Sequence, residues 1–325
     1  MAEQVNRRVL LGLGAATAAV LATATPALAE TETASPQKRV RRVYERQSSR
    51  AGGTWNSFIS VAGSTEVEDK ADELVEAYSV NKIAVATAVL DKVDRGLLKL
   101  DQRVDVPADI IVAGGDGIFG LDGAYPSSVT LGHVLALLLT VSDDTCVRLC
   151  GLVAPAKEIN EILVAKGFPK TQVKPVANPN RFFLGQTTPR ETHDLLQALV
   201  GGTLLSKASG DYLLNILRSQ AAFTDGIRRT MSSAERGRVA TKAGWFNDGR
   251  NEAGIIFDTA GKPVLTYSIF AHGQEDPDNF GATHPAVEAR AVMGRAFFDA
   301  VDKLAPPATA RAMAAAPAYR PSNGG

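Results

Sequence analysis

The stretch Ser79-Val80-Asn81-Lys82 begins a predicted helix over residues 80–95, in which apolar residues recur at helical spacing. Two residues three apart on a helix share a face, so Lys82 can approach the Ser79 hydroxyl. A serine hydroxyl becomes a good nucleophile only when a base accepts its proton, and a desolvated lysine can be that base. The same serine would also suit a plain helix N-cap, so this motif alone leaves both interpretations open.

Two further polar elements follow at wide spacing. Ser142-Asp143-Asp144-Thr145 comes after an apolar run over residues 134–139. Lys242-Ala243-Gly244 ends a predicted strand, residues 238–244, just before a turn. Taken singly, Ser142 could simply cap the helix that follows it, and Lys242 could be a surface charge on a strand.

The three elements together resemble the S-x-x-K, S-D-N and K-T-G triplet of the penicillin-recognising serine enzymes, specifically the class A β-lactamases. The resemblance extends over about residues 55–301. It includes four shorter matches in order: Gly117-Ile118-Phe119, Val129-Thr130-Leu131, Thr187-Thr188-Pro189 and Gly249-Arg250-Asn251. It implies an α/β (α+β) fold of the β-lactamase/transpeptidase type, an antiparallel sheet flanked by helices with an inserted all-α domain.

The resemblance also implies a role for each matched residue. Ser79 would be the acylated nucleophile, Lys82 its proton partner, and Ser142 the relay to the leaving nitrogen. Lys242 would supply positive potential that holds an anionic substrate. The substrate-binding residues would be Ala243, Gly244, Trp245 and Arg250. Among these, the Trp245 N–H would complete an oxyanion hole with the Ser79 N–H, and Arg250 would bind a carboxylate.

The sequence departs from the family pattern at three places. Class A enzymes carry a deacylating glutamate shortly before the Thr-Thr-Pro element, but residues 162–190 contain no Asp or Glu. The amides of Gln172, Asn178 and Gln186 cannot accept a proton from water at neutral pH. Asp144 replaces an asparagine, and if it points into the site it would hold Lys82 protonated and offer itself as a base. Ala243 replaces a threonine, which removes a hydroxyl that would bind a substrate carboxylate.

The order of predicted elements supports the same architecture. Strands are predicted at 55–61, 238–244, 252–257 and 264–271, and helices at 80–95, 131–152, 156–165, 189–199, 210–220 and 284–301. We therefore predict a domain over residues 54–303. Its α/β layer comes from about 54–78 and 235–303, with a helical insertion over about 79–234. The acidic stretch between residues 66 and 76 is interpreted as a solvated face.

The two ends of the chain are predicted to lie outside this domain. Residues 1–29 have two adjacent arginines, a short apolar middle and an Ala-Leu-Ala cleavage site, which indicates a signal peptide of the twin-arginine type. Residues 30–53 are interpreted as a polar linker leading into a first helix, and 304–325 as a disordered tail. We expect a secreted or periplasmic protein, at the exterior of the cell envelope, with no transmembrane segment in the mature form.

Composition excludes several other classes. The 35 basic and 35 acidic side chains give no excess charge for binding nucleic acid. Cys146 and Cys150 are four apart in a predicted helix, where a disulfide would be strained, so we expect buried free thiols. The four histidines are scattered and predict no metal site. We expect a monomer that acts on a small-molecule substrate without a cofactor.

Three functions remain open on this basis. The first is an exported serine hydrolase that opens a β-lactam or related amide through a Ser79 acyl-enzyme. The second keeps the acyl-enzyme but changes its fate or substrate, as in a D-alanyl carboxypeptidase, an esterase or an acyltransferase. The third is a ligand-binding or sensing protein without turnover. The second and third functions remain open because the deacylating glutamate is missing.

Overall fold

Residues 35–305 are described by a computed structural model of the chain. The strands are β1 Thr54–Val61, β2 Ser64–Asp69, β3 Val75–Glu76, β4 Arg103–Val106, β5 Ser127–Thr130, β6 Gln172–Pro175, β7 Phe182–Thr187, β8 Val239–Phe246, β9 Gly249–Phe257 and β10 Pro263–His272. The α-helices are α1 Pro36–Ala51, α2 Lys82–Asp94, α3 Phe119–Asp122, α4 Leu131–Thr140, α5 Asp144–Val153, α6 Ala156–Ala165, α7 Pro189–Val200, α8 Lys207–Leu217, α9 Ser233–Arg236 and α10 Pro285–Leu304.

The main sheet takes its strands from both ends of the chain. Its five antiparallel strands lie in the order β2-β1-β10-β9-β8, so the last strand of the domain pairs with the first. The four predicted strands are all present, and the predicted fold class is confirmed. β8 is an edge strand, which leaves one side of it free to face the site.

Each face of this sheet packs on its own helical layer. α1 and α10 cover one face with a core that includes Val40, Tyr44, Tyr267 and Phe297. The other face contributes Ala240, Ala253, Ile255 and Phe270 to the core of the inserted helices. Because side chains alternate along a strand, Lys242 shares the face of Ala240 and points to the inserted segment.

The inserted segment is mainly helical, but the expectation of an all-α insertion was wrong in two places. β4 pairs with β5, and β3, β7 and β6 form a second small sheet. The predicted helix over 131–152 is two helices, α4 and α5. Ser142 separates them in the left-handed region, at φ 58°, which a continuous helix does not allow.

The N-terminal part contains the expected first helix, and one expectation for it needs correction. Within residues 30–53, helix α1 has 16 residues and takes up most of the described part, with Val40 and Tyr44 buried one turn apart. The acidic stretch is not a uniformly solvated face, because its first part is strand β2 and Glu66 is buried. Arg190 binds both Glu68 and Asp72, and this guanidinium lowers the pKa of Asp72.

The structure describes both cysteines but only a few residues of the two predicted chain ends. Cys146 and Cys150 are free and buried, as predicted, and burial raises the pKa of Cys150 to about 12. The predicted signal peptide and all but the first two residues of the predicted tail lie outside the described residues. Within 35–305, none of the helices is long and apolar enough to span a membrane.

Candidate active site

The candidate nucleophile lies on a tight turn that leads into α2. Ser79 belongs to a 3₁₀ turn, Tyr78–Asn81, that directly precedes Lys82. In a 3₁₀ helix the side chains at i and i+3 eclipse, so Ser79 and Lys82 lie on one face. Within residues 35–305 the Ser79 hydroxyl makes no hydrogen bond, and the helix gains no side-chain cap here. Ser79 is therefore not an N-cap.

Strand β7 braces this turn from one side. The Asn81 side chain donates to the carbonyls of Leu184 at 2.7 Å and Gln186 at 3.1 Å. The Ala77 N–H donates to the Gly185 carbonyl at 2.9 Å. Tyr78 sits at φ 47°, which is an unfavourable backbone region for an aromatic residue and is maintained only by its surroundings.

Strand β8 braces the turn from the other side. A Cβ on Gly244 would lie 2.7 Å from the Ser79 nitrogen and 2.8 Å from the Val80 nitrogen, so the two backbones approach as closely as a glycine allows. Trp245 follows Gly244 directly on β8. The Trp245 ring packs against Phe223, with 5.4 Å between the ring centroids.

The three distant sequence elements converge on the Ser142 hydroxyl. Its Oγ lies 3.1 Å from Lys82 Nζ and 3.1 Å from Lys242 Nζ. Ser142 does not cap α5, because Asp143 occupies that position and accepts from the N–H groups of Thr145 and Cys146. Lys242 is only 2% exposed, which excludes a surface charge on a strand.

Lys82 is tied to α5 rather than to Ser79. Its ammonium donates to the Ser142 carbonyl, to Ser142 Oγ, and to Asp144 Oδ1 at 2.8 Å. An ammonium has three donors and no acceptor, so these three partners use all of them. Asp144 thus points into the site, and its side chain stays 35% exposed.

Burial and the neighbouring Lys82 cation lower the pKa of Lys242 well below its usual value. Its Nζ lies 3.1 Å from Ser142 Oγ and donates to the Ala243 carbonyl at 2.7 Å. Within residues 35–305, no carboxylate forms an ion pair with it. The buried Glu252 lies on the other face of the sheet, where it accepts from Thr241 and faces Arg290 at 3.7 Å.

Two predicted substrate-binding residues do not present a binding group to this site. Ala243 is buried and carries no hydroxyl. Arg250 is fully buried, and its guanidinium donates to backbone carbonyls that include those of Asn279, Pro277 and Gly249. Because these contacts occupy the N–H groups of its guanidinium, Arg250 is not placed to bind a substrate carboxylate.

A glycine-rich loop closes the site beside Asp144, and from the sequence only its end, Gly117-Ile118-Phe119, was recognised, without a role in the site. The Asp116 N–H donates to Asp144 Oδ2 at 3.1 Å, and the Asp144 N–H donates to the Asp116 carbonyl at 3.0 Å. Partial desolvation and the Asp144 carboxylate raise the pKa of Asp116, against the opposing effect of Lys82 and Lys242. The run Gly114-Gly115-Asp116-Gly117 was the available signal, since a Cβ on Gly115 would meet Asp144 and one on Gly117 would meet Asp143.

Residues 35–301 match the model of a beta-lactamase enzyme family, Beta-lactamase2. The chain belongs to this family. The match covers nearly all of the described residues and confirms the resemblance drawn from the three motifs. It makes the protein a beta-lactamase-like serine hydrolase by family, with a small molecule as the implied substrate.

Solved structures share the fold of this beta-lactamase family member. A beta-lactamase from Sphaerobacter thermophilus DSM 20745 is 23% identical, with a TM-score of 0.69 over 83% of this chain and 98% of that one. A beta-lactamase from Chitinophaga pinensis DSM 2588 is 23% identical, with a TM-score of 0.70 over 81% and 99%. A PBP-A mutant in an acyl-enzyme complex with penicillin G is 20% identical, with a TM-score of 0.64 over 81% and 96%. No curated protein matches the chain significantly.

In this beta-lactamase family member the buried Asp143 is the main link between the glycine-rich loop and α5. Its carboxylate accepts four backbone N–H groups, those of Ile118 at 2.7 Å, Phe119 at 3.0 Å, Thr145 at 2.9 Å and Cys146 at 3.2 Å. The first two fix the loop, and the last two cap the helix.

Asp143→Ala would leave these donors unpaired, so we expect the free energy of unfolding to fall by about 3 kcal/mol or more. Thermal unfolding should show a decrease in Tm of roughly 6–12 °C. Asp101→Ala, at an exposed residue that makes no side-chain hydrogen bond within residues 35–305, is the control and should change Tm little. Equal Tm values for the two variants would show that the four contacts do not stabilise the fold.

Proposed function

We propose that this protein is an exported serine hydrolase that opens a β-lactam or a related amide through an acyl-enzyme on Ser79. The observation that carries the proposal is the position of Ser142 Oγ, 3.1 Å from the Nζ atoms of both Lys82 and Lys242. Three elements far apart in the chain thus build one proton-transfer centre. It lies beside a serine whose hydroxyl is free within the described residues and whose backbone amide faces an edge strand.

The expected chemistry follows from these positions. The Ser79 oxygen would attack the amide carbonyl, and the N–H groups of Ser79 and Trp245 would stabilise the developing oxyanion. Ser142 would pass a proton to the leaving nitrogen. The positive charge of Lys82, which is buried beside the site, would favour the negative charge that develops in the transition state.

The substrate we propose depends little on a carboxylate anchor. Ala243 offers no hydroxyl, and the Arg250 fork is occupied by backbone carbonyls. In their place Asp144 presents a partly exposed carboxylate beside Lys82. A lactam or amide with a hydrogen-bond donor on its acyl side fits the Asp144 carboxylate better than a substrate that binds mainly through its own anionic group.

A second candidate is an acyl-enzyme that turns over slowly, as in a penicillin-binding or transpeptidase-like protein. The absence of Asp and Glu from residues 162–190 favours it, because that segment offers no carboxylate to activate the deacylating water. Export rests on the signal-like sequence of residues 1–29.

Intact-mass spectrometry of residues 30–325 mixed with a panel of β-lactams tests the proposal, with Ser79→Ala alongside. We expect each reactive lactam to add its mass to the wild-type chain and none to add to the variant. The lifetime of the adduct then separates a hydrolase from a slow acyl-enzyme. An adduct that persists in Ser79→Ala would overturn the assignment of the nucleophile. Reversible binding without any adduct would indicate a binding protein instead.

A further inference from the structure

Two buried lysines share one hydroxyl in this site. Lys82 and Lys242 are 0% and 2% exposed, and each Nζ is 3.1 Å from Ser142 Oγ. The two nitrogens are therefore about 6 Å apart or less. Two ammonium ions at that separation, away from water, repel each other strongly, and this repulsion favours the loss of one proton.

The contacts indicate which lysine keeps its charge. Lys82 has three acceptors, one of them the Asp144 carboxylate at 2.8 Å, which matches the three donors of an ammonium. Lys242 has two uncharged partners, Ser142 Oγ and the Ala243 carbonyl. A neutral amine has two N–H groups and one lone pair, so it can donate to the carbonyl while it accepts from the hydroxyl.

We propose that Lys82 is a permanent ammonium bound to Asp144, and that Lys242 is the neutral amine that acts as the base for acylation. The inference rests on the proposed acyl-enzyme function. It reverses the roles expected from the sequence, where Lys82 was the proton partner of Ser79 and Lys242 supplied only positive potential. The departure that causes the reversal is Asp144, which gives Lys82 a carboxylate.

The charges around Lys242 agree with this assignment. Lys82 acts on it from α2, Asp116 from the glycine-rich loop and Asp144 from α5, and Glu252 acts on it from the opposite face of the sheet. Burial and Lys82 lower its pKa, the three carboxylates raise it, and the net direction is strongly downward. Asp144 is already paired with Lys82, and Glu252 faces Arg290, which weakens their hold on Lys242.

The proton balance of the step is simple. As Ser79 Oγ bonds to the carbonyl carbon, its proton moves to Ser142 Oγ, and the Ser142 proton moves to Lys242 Nζ. The carbonyl electron pair becomes the oxyanion. When the intermediate collapses, the C–N bond breaks, its electron pair stays on nitrogen, and the proton returns from Lys242 through Ser142 to that nitrogen. Lys242 is neutral again once the acyl-enzyme has formed.

The charge state can be read without any turnover. In protein labelled with ¹⁵N-lysine, we expect one side-chain signal at the neutral-amine position at about pH 8, where an ordinary lysine is protonated. That signal should be absent from Lys242→Arg and present in the control Lys174→Arg, which changes an exposed lysine. If every lysine of the wild-type protein is an ammonium at this pH, the inference is wrong.

The kinetics give a second, independent test. Arginine keeps the positive charge but cannot be deprotonated, so Lys242→Arg should slow acylation at least tenfold, whereas Lys174→Arg should not. In the wild-type protein the acylation rate should reach its plateau well below about pH 10.4, where an ordinary lysine titrates. A rate that rises steadily to that pH, or an Arg variant that acylates normally, would overturn the assignment. If no lactam labels the wild-type protein, the proposed function fails, and the NMR experiment still decides which lysine is neutral.

Discussion

Gln186→Glu should shorten the lifetime of a Ser79 acyl-enzyme by about 10²-fold or more. The change is nearly isosteric, but it converts an amide that cannot accept a proton from water into a carboxylate that can. Gln186 is exposed on β7, and its carbonyl is bound to the side chain of Asn81 in the nucleophile turn at 3.1 Å. A carboxylate here would stand beside the turn that carries the acyl group.

The matched control is Gln172→Glu. Gln172 pairs with Gln186 across the two strands, but it lies on β6, which β7 separates from β3 and the nucleophile turn. Its amide donates to the Thr171 carbonyl. For this reason we place the new base on β7 and use the β6 position as the control. Adduct lifetimes from time-resolved mass spectrometry should fall for the first variant only. Unchanged lifetimes for both would show that the missing carboxylate does not limit deacylation.

Gly244→Ala should slow acylation by about 10²-fold. The added Cβ would lie 2.7 Å from the Ser79 nitrogen, a distance that real Cβ atoms do not adopt, so β8 and the nucleophile turn must move apart. That movement displaces the Ser79 and Trp245 amides from the positions they need for an oxyanion. The readout is the rate of adduct formation with a reactive lactam.

Gly281→Ala is the control for this second variant. A Cβ at Gly281 would have no atom within 4 Å, and its φ lies outside the left-handed region, so the change should leave the acylation rate unaltered. Thermal unfolding of both variants separates a local displacement from loss of the fold. An acylation rate equal to that of wild type in a folded Gly244→Ala protein would show that the close approach of β8 is not needed for acylation.

The fold could be predicted from local patterns because its main elements obey their own periodicity. The strands within residues 55–61 and 238–271 have either alternating apolar and polar residues or a continuous run of apolar residues. Helix α6 begins and ends where the sequence pattern predicts. Strand β2 was missed because its acidic residues resemble a solvated surface. Only its pairing with β1 and the contact of Arg41 with the Glu66 carbonyl show why it is ordered.

The residues that form the site could be predicted from the sequence, but the hydrogen bonds that connect them could not. The motifs identified Ser142 and both lysines, and the structure brings them together. The direction of Arg250 depends on carbonyls of residues 276–279, and the break at Ser142 depends on the loop that wraps Asp143 and Asp144. Such contacts join segments that are far apart in sequence, so no local pattern encodes them.

The pairing of β1 with β10 also sets the order in which the protein can fold. The Ser268 hydroxyl donates to the Phe58 carbonyl across 210 residues, and all of the inserted helices lie between the two strands. Closing a loop of that length costs a large amount of chain entropy before the contacts between the two strands can offset it. This pairing should therefore form late. Lys242 lies on β8, in the same C-terminal part of the sheet. A chain still emerging from the ribosome would therefore carry Ser79, Lys82 and Ser142 before Lys242 is in place, and it would become reactive only when synthesis is nearly finished.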